Sequence, residues 1–246
     1  MRSYEKSNPE KSATVPAQKF VDKTEASSPV SVKDAGTDYR KTDGFLSPKS
    51  LFVIVSGGER TERLYFKIIS NQDKFVKIRI AFIADPKRLN PKGLLETAKY
   101  KQEYYRTSQE NEADKIYIVS DVDDFMSELL IIKPECDTLN ISLIISNSCF
   151  EIWLYYAWCN EITGFPVPAN KSHISRDFRR WMPSRINPVK AILNIEQNIK
   201  NAKEHYKEDE NGIPELFSTN MFMLAEDIFP LVESELKNIN AEKARR

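Results

Sequence analysis

Four short apolar runs recur along the chain, and each precedes a stretch in which apolar residues repeat at helical spacing. The apolar runs cover residues 51–55, 75–84, 116–121 and 141–145. The run at 116–121 hardly alternates between apolar and polar positions, which is typical of a strand buried on both faces of a parallel sheet. The helical patterns follow at residues 61–71, 91–108, 125–139 and 150–159. This order predicts an α/β fold with a mainly parallel sheet flanked by helices.

The two ends of the chain depart from this alternation. Residues 190–207 and 219–238 carry helical patterns with no strand between them, which predicts a C-terminal helical appendage. Residues 1–46 are rich in Ser, Lys, Glu, Thr and Pro, and such a composition buries too little apolar surface to offset the entropy of ordering. We therefore predict a disordered arm over 1–46, an α/β core over 47–165, and a basic segment with helices over 166–246.

The composition is that of an ordinary globular protein. Of the 246 residues, 36 are basic and 36 acidic, so any binding of nucleic acid must come from a local patch. Cys136, Cys149 and Cys159 form no CxxC pair and fit reduced thiols in a cytosolic protein. No apolar stretch reaches the length of a membrane span, and the N-terminus lacks a signal-peptide core. We therefore expect a cytoplasmic protein without membrane contact.

The third apolar run ends in an acidic tip, DVDD, at residues 121–124. In open α/β sheets ligands bind beyond the carboxyl ends of the strands, so Asp121 and Asp123 face the usual site. Their carboxylates repel each other unless a cation lies between them, and Mg²⁺ accepts such oxygen ligands together with water and phosphate. The alternative is that these acids solubilise a loop or cap a helix, a role that suits Asp124.

Two glycines, Gly57 and Gly58, follow the first apolar run and precede a helical pattern. A glycine turn at this place presents backbone N–H groups and the positive end of a helix to an anion. The segment has neither the GxGxxG pattern of a dinucleotide site nor the GKS or GKT of a Walker loop. A plain strand-to-helix turn explains the two glycines equally well.

Residues 171–190 concentrate positive charge around one acid, Asp177. The segment holds six basic residues: Lys171, Arg176, Arg179, Arg180, Arg185 and Lys190. Such a patch can bind the phosphate backbone of a nucleic acid, and a base could stack on Trp181. The alternative is a solvated surface with scattered ion pairs, with Trp181 in the core.

Four segments stand in a particular order: SGGERTERLYF at 56–66, SDVDD at 120–124, SNSCFEIWLYY at 146–156 and FSTNM at 217–221. Their order and spacing resemble the RloB family of bacterial proteins, whose core resembles a divergent Toprim domain. The resemblance covers residues from about 50 to 235. It implies a Toprim-like fold for the predicted α/β core.

The resemblance also implies roles for individual residues. Toprim domains hold Mg²⁺ with a DxD pair, which here is Asp121 and Asp123. They use an acid after the first strand as general acid or base, but this chain has Gly57 at that position. Acids elsewhere could supply the missing group: Glu59, Glu62 and Glu151. We predict metal binding by Asp121 and Asp123, and catalytic roles for Glu59, Asp121, Asp123 and Glu151.

Two functions follow from the resemblance and from the departure at Gly57. The first is a Mg²⁺- or Mn²⁺-dependent endonuclease that cleaves RNA, including transfer RNA, or DNA in bacterial defence against phage by abortive infection, beside an ATPase partner. The second is a non-catalytic regulatory or interaction subunit of such a complex. In that case the apolar residues 152–158 and the C-terminal helix would form the partner surface.

Overall fold

A computed structural model describes residues 50–71, 73–107, 113–168 and 173–245. The predicted arm over residues 1–46 lies outside the described residues, and so does Lys171. Within the described ranges, no helix is both long and apolar enough to cross a membrane.

The four predicted strands form one all-parallel sheet. They are β1 (Ser50–Ser56), β2 (Ile78–Ile83), β3 (Lys115–Asp121) and β4 (Ser142–Ser146). Their spatial order is β2-β1-β3-β4, so the chain leaves β1 on one side to form β2 and returns on the other side to form β3. Such a reversal opens a crevice beyond the carboxyl ends of the two central strands. The predicted α/β class with a mainly parallel sheet is confirmed.

Both faces of the sheet are buried, which explains why the strands lack a polar face. In β1, Phe52 and Ile54 join one core cluster, whereas Val53 and Val55 join a second cluster on the opposite face. The second face is covered by α2 (Pro91–Thr107) and α3 (Met126–Thr138). The first face is covered by α1 (Thr61–Ser70), α4 (Glu151–Tyr155), α5 (Ile174–Trp181), α6 (Pro188–Ala191), α7 (Ile195–Glu204) and α8 (Met221–Ala244). The C-terminal helices therefore share their core with the sheet.

Several predicted boundaries are wrong. The strand predicted at 75–84 is shorter, and the helix predicted at 150–159 ends at Tyr155 and continues as a turn. The helix predicted at 190–207 divides into α6, a 3-10 turn (Ile192–Asn194) and α7. The sequence analysis missed α5, although its apolar residues Ile174, Phe178 and Trp181 are spaced as on one helix face. Four charged residues within eight positions hid that pattern.

Contacts with α7 account for the early end of α4. The side-chain amide of Asn198 donates to the Trp153 carbonyl oxygen at 3.1 Å, and that of Asn201 donates to the Tyr156 carbonyl oxygen at 2.8 Å. These bonds satisfy carbonyl groups that a longer helix would have paired internally. Tertiary packing therefore replaces the helical hydrogen bonds at this point.

Candidate functional site

A cleft of about 660 Å³ lies at the carboxyl ends of β1 and β3. Its walls come from the β1–α1 turn, the end of β3, the start of α4 and one residue of α5. Five carboxyl side chains and two guanidinium groups line it: Glu59, Glu62, Asp121, Asp123, Glu151, Arg60 and Arg179. The four predicted catalytic residues thus line one cleft, and that cleft holds more acids than bases.

The predicted metal pair lies at the end of β3. Burial raises the pKa of Asp121 well above its ordinary value, and the carboxylates of Glu62 and Glu151 raise it further, while Arg179 opposes the shift. Asp123 follows in a tight turn with a φ of 29°, and its carboxylate accepts a hydrogen bond from the Ser175 hydroxyl. The alternative role of Asp124 as a helix cap is not observed, because α3 is preceded by Phe125 and has no side-chain cap.

Glu62 was one of the acids expected as a replacement for the missing group, but it was not among the four predicted catalytic residues. It lies in the first turn of α1, and only 6% of it is exposed. Burial raises the pKa of Glu62 to about 7; its own backbone N–H lowers the value, the Glu151 carboxylate raises it and Arg179 lowers it. A buried carboxyl group at this place could have been suspected from its helical position, three residues before the core residue Tyr65.

Gly58 leaves the space that the Glu62 carboxyl group occupies. A Cβ atom at Gly58 would lie 1.9 Å from the carboxyl atoms of Glu62. A Cβ atom at Gly57 would lie 3.1 Å from the carbonyl oxygen of Leu89, and the Gly57 N–H donates to the Val119 carbonyl oxygen at 2.9 Å. The space that Glu62 needs therefore explains the glycine at position 58, and a bound anion is not needed to explain it.

Glu59, one of the acids expected to replace the missing group, also lines the cleft. Its Oε1 atom is buried and has no hydrogen-bond partner within the described ranges. A buried carboxylate oxygen without a donor carries an energetic cost that a bound ligand or water can remove. Glu59 thus stays a predicted site residue alongside Glu62.

Arg179 lies inside the acidic cleft, although the sequence analysis placed it in a patch for phosphate. Its Nε donates to Glu151 Oε2 at 2.9 Å, and its Nη2 donates to Asp121 Oδ2 at 3.4 Å. The Thr61 hydroxyl donates to the other Glu151 oxygen at 3.4 Å. Burial alone would lower the pKa of Arg179, but its pairing with Glu151 and Asp121 raises it above the ordinary value. Arg179 therefore stays charged and acts as a half-exposed counter-ion to Glu151 and Asp121.

The other three arginines predicted to contact phosphate lie outside the cleft lining. Arg176, Arg180 and Arg185 are exposed, and Arg176 pairs with Asp177 at 3.3 Å. Trp181 is partly buried, with its ring centroid 5.6 Å from that of Tyr155 and 5.4 Å from that of Phe165. The core alternative for Trp181 is therefore correct, and phosphate binding by the arginines stays a prediction.

The FSTNM segment supports the site from a distance. The Asn220 side chain accepts from the Ile145 N–H at 2.6 Å and donates to the Leu143 carbonyl oxygen at 3.1 Å. The hydroxyl groups of Ser146 and Thr219 lie 2.8 Å apart. These contacts pair the free hydrogen-bonding groups of β4, which is an edge strand of the sheet. They also fix the position of the strand that leads into Glu151.

The side chains that line the cleft are of the kind that bind a hard divalent cation. Its carboxylates provide oxygen ligands, and five acids face two bases. Within the described ranges, no group of three or more His, Cys, Asp or Glu side chains is already arranged to hold a metal ion. Mg²⁺ commonly takes one or two carboxylates and completes its shell with water and phosphate. Asp121 and Asp123 are the pair that would hold it.

The raised pKa of Glu62 predicts a pH-dependent stability. Between pH 4.5 and about 7 the folded protein keeps a proton that the unfolded chain loses, so the free energy of unfolding falls as the pH rises. We expect this loss to be about 3 kcal/mol larger in the wild type than in Glu62→Gln, in which Asp121 still contributes a loss of the same sign. Urea titrations of both proteins in EDTA across this range measure the difference. Parallel pH curves would contradict it.

These features define an α/β protein with an acidic cleft at the switch point of a parallel sheet. The chain belongs to the RloB-like protein family, whose model matches residues 52–228. That range contains the acids of the cleft and Arg179, and the resemblance read from four sequence segments is thereby confirmed. Searches of curated proteins and of solved structures found no match.

Proposed function

We propose that this protein is a Mg²⁺-dependent endonuclease with a Toprim-like core that cleaves RNA or DNA in bacterial anti-phage defence. One observation carries the chemistry: among the described residues, five carboxyl groups and two guanidinium groups line the crevice of the parallel sheet, and burial raises the pKa of Asp121 there. Such an excess of negative charge favours a cation in the cleft. The choice of nucleic acid as substrate, the defence role and an ATPase partner are supported by the family resemblance alone.

The residues of the cleft divide into distinct roles in this proposal. Asp121 and Asp123 would hold the ion, and a bound Mg²⁺ would polarise the phosphoryl oxygens and lower the pKa of water. Glu62 would take a proton from the attacking water, since a carboxyl group whose pKa is about 7 is suited to act as a base at neutral pH. Glu151 holds Arg179 at the cleft through the bond of 2.9 Å.

A second candidate is a non-catalytic subunit of a defence complex. It is favoured by Gly57, which stands where the family has its first acid, and by Arg179, which already pairs with Asp121. The prediction that residues 152–158 form a partner surface is wrong for most of them, because residues 152–157 are buried in the core. A partner of such a subunit would have to bind elsewhere.

Incubation with mixed RNA and DNA tests the proposal directly. We expect the wild-type protein to cleave one of the two in Mg²⁺ and to be inactive in EDTA, because the carboxylates alone cannot neutralise the charge that develops on the phosphoryl group. Calorimetric titration with Mn²⁺ accompanies the assay. Absence of both cleavage and Mn²⁺ binding at millimolar concentration would favour the non-catalytic subunit.

A further inference from the structure

One face of α5 supplies hydrogen-bond donors to the acidic cleft. Ser175 and Arg179 are four residues apart, which places them on the same face of the helix. Between and beside them, Ile174 and Phe178 are buried and anchor the helix to the core. The helix thus holds its donors over the carboxyl groups without depending on the polar contacts for its position.

Arg179 occupies a carboxylate oxygen of Asp121, one of the two residues that would hold a cation, and pairs with the neighbouring Glu151. Its guanidinium group reaches Glu151 through Nε at 2.9 Å and Asp121 through Nη2 at 3.4 Å. About 44% of its side chain is exposed, whereas the carboxylate side chains are 11% and 20% exposed. The arginine can therefore swing towards solvent more easily than the two acids can move.

We propose that Arg179 competes with a divalent cation for Asp121 and, once displaced from that carboxylate, binds the phosphate of the substrate. The inference rests on the proposed metal site and adds a coupling between metal loading and substrate binding. A guanidinium group pairs with a carboxylate and with a phosphate through the same donors, so it can exchange one for the other. Metal-free protein would then bind nucleic acid weakly.

Removal of the competing guanidinium group should strengthen metal binding. In calorimetric titrations with Mn²⁺ we expect Arg179→Gln to bind about tenfold more tightly than the wild type, since a charge-assisted hydrogen bond no longer has to be broken. Arg106→Gln is the matched control, because Arg106 is an exposed arginine of α2 that pairs with Glu103. Its affinity for Mn²⁺ should equal that of the wild type.

A second variant covers the case in which Arg179→Gln does not fold. Arg179→Lys keeps the charge, but a single ammonium group cannot span Glu151 and Asp121 as the two guanidinium nitrogens do. Its Mn²⁺ affinity should lie between those of the wild type and Arg179→Gln. A purely structural role for Arg179 predicts weaker metal binding in both variants, because the carboxylates would lose their organisation.

Binding of a fluorescent single-stranded RNA tests the release of Arg179. Ca²⁺ takes oxygen ligands as Mg²⁺ does, and it replaces Mg²⁺ in this assay. Fluorescence anisotropy then measures the binding of the RNA. We expect Ca²⁺ to raise the RNA affinity of the wild type, and this gain to be about tenfold smaller in Arg179→Gln. An equal gain in both proteins would overturn the coupling.

The outcomes separate the inference from the function on which it rests. If the wild type binds Mn²⁺ and Arg179→Gln binds it equally or more weakly, the competition is refuted and the metal site stands. If neither the wild type nor the Arg179 variants bind Mn²⁺ at millimolar concentration, the metal site itself is refuted and the inference falls with it. Tighter binding by Arg179→Gln supports both.

Discussion

Replacement of Asp121 and Asp123 together by asparagine is expected to slow Mg²⁺-dependent cleavage of nucleic acid by about 10²–10⁴-fold. The two carboxylates are the pair that would hold the ion, and an amide is a poorer ligand for Mg²⁺ than a carboxylate. Asparagine keeps the volume of aspartate, so the cleft should keep its shape. The measurement is the initial rate of cleavage with saturating substrate in Mg²⁺.

Stability should not confound this double variant. Burial already raises the pKa of Asp121 well above its ordinary value, which means that the folded state disfavours its charge. A neutral amide at that position should therefore leave the free energy of unfolding unchanged or increase it. Asp137→Asn is the matched control, since Asp137 is an exposed residue of α3 that pairs with Lys133. Equal rates in the double variant and the wild type would remove Asp121 and Asp123 from the site.

Replacement of Trp153 by alanine is expected to lower the free energy of unfolding by about 3–5 kcal/mol. Trp153 is fully buried, and its ring lies 6.3 Å from that of Tyr65 in an edge-to-face arrangement. Its loss would leave a cavity between α1 and α4 that close-packed neighbours fill only in part. Urea denaturation followed by circular dichroism measures the change.

Tyr100→Ala provides the control for this prediction. Tyr100 is an aromatic residue that is 65% exposed on α2, so its loss should change the free energy of unfolding by less than about 0.5 kcal/mol. The comparison also bears on function, because residues 152–158 were expected to form a partner surface in the non-catalytic alternative. A Trp153→Ala protein as stable as the wild type would contradict the packing of this residue in the core.

The order of strands and helices was predictable because burial on both faces leaves a direct trace in the sequence. Residues 51–55 and 116–121 read as continuous apolar runs, and the structure places them as the two central strands. The location of Asp121 and Asp123 at the crevice followed from that reading alone. The shorter helices α5 and α6 were harder, because their patterns are only one or two turns long and charge hides the apolar positions.

The partners of each acid were not predictable, because they come from segments far apart in the chain. Arg179 is 28 residues from Glu151 and 58 from Asp121, yet it bonds to both. Its sequence neighbours are basic, so local charge pointed to phosphate and not to a carboxylate. Likewise, only the coordinates show that a Cβ atom at Gly58 would lie 1.9 Å from the Glu62 carboxyl group.

The sequence by itself determined the class of fold, the family and the strand end at which acids collect. Those properties depend on local periodicity and on short segments read in order, both of which are written along the chain. Only the tertiary structure decided that Glu62 enters the cleft, that residues 152–157 belong to the core and that Arg179 pairs with the acids. These features depend on which side of each helix faces the sheet. Packing between segments that are distant in the sequence decides that orientation, and it outweighs local charge and spacing.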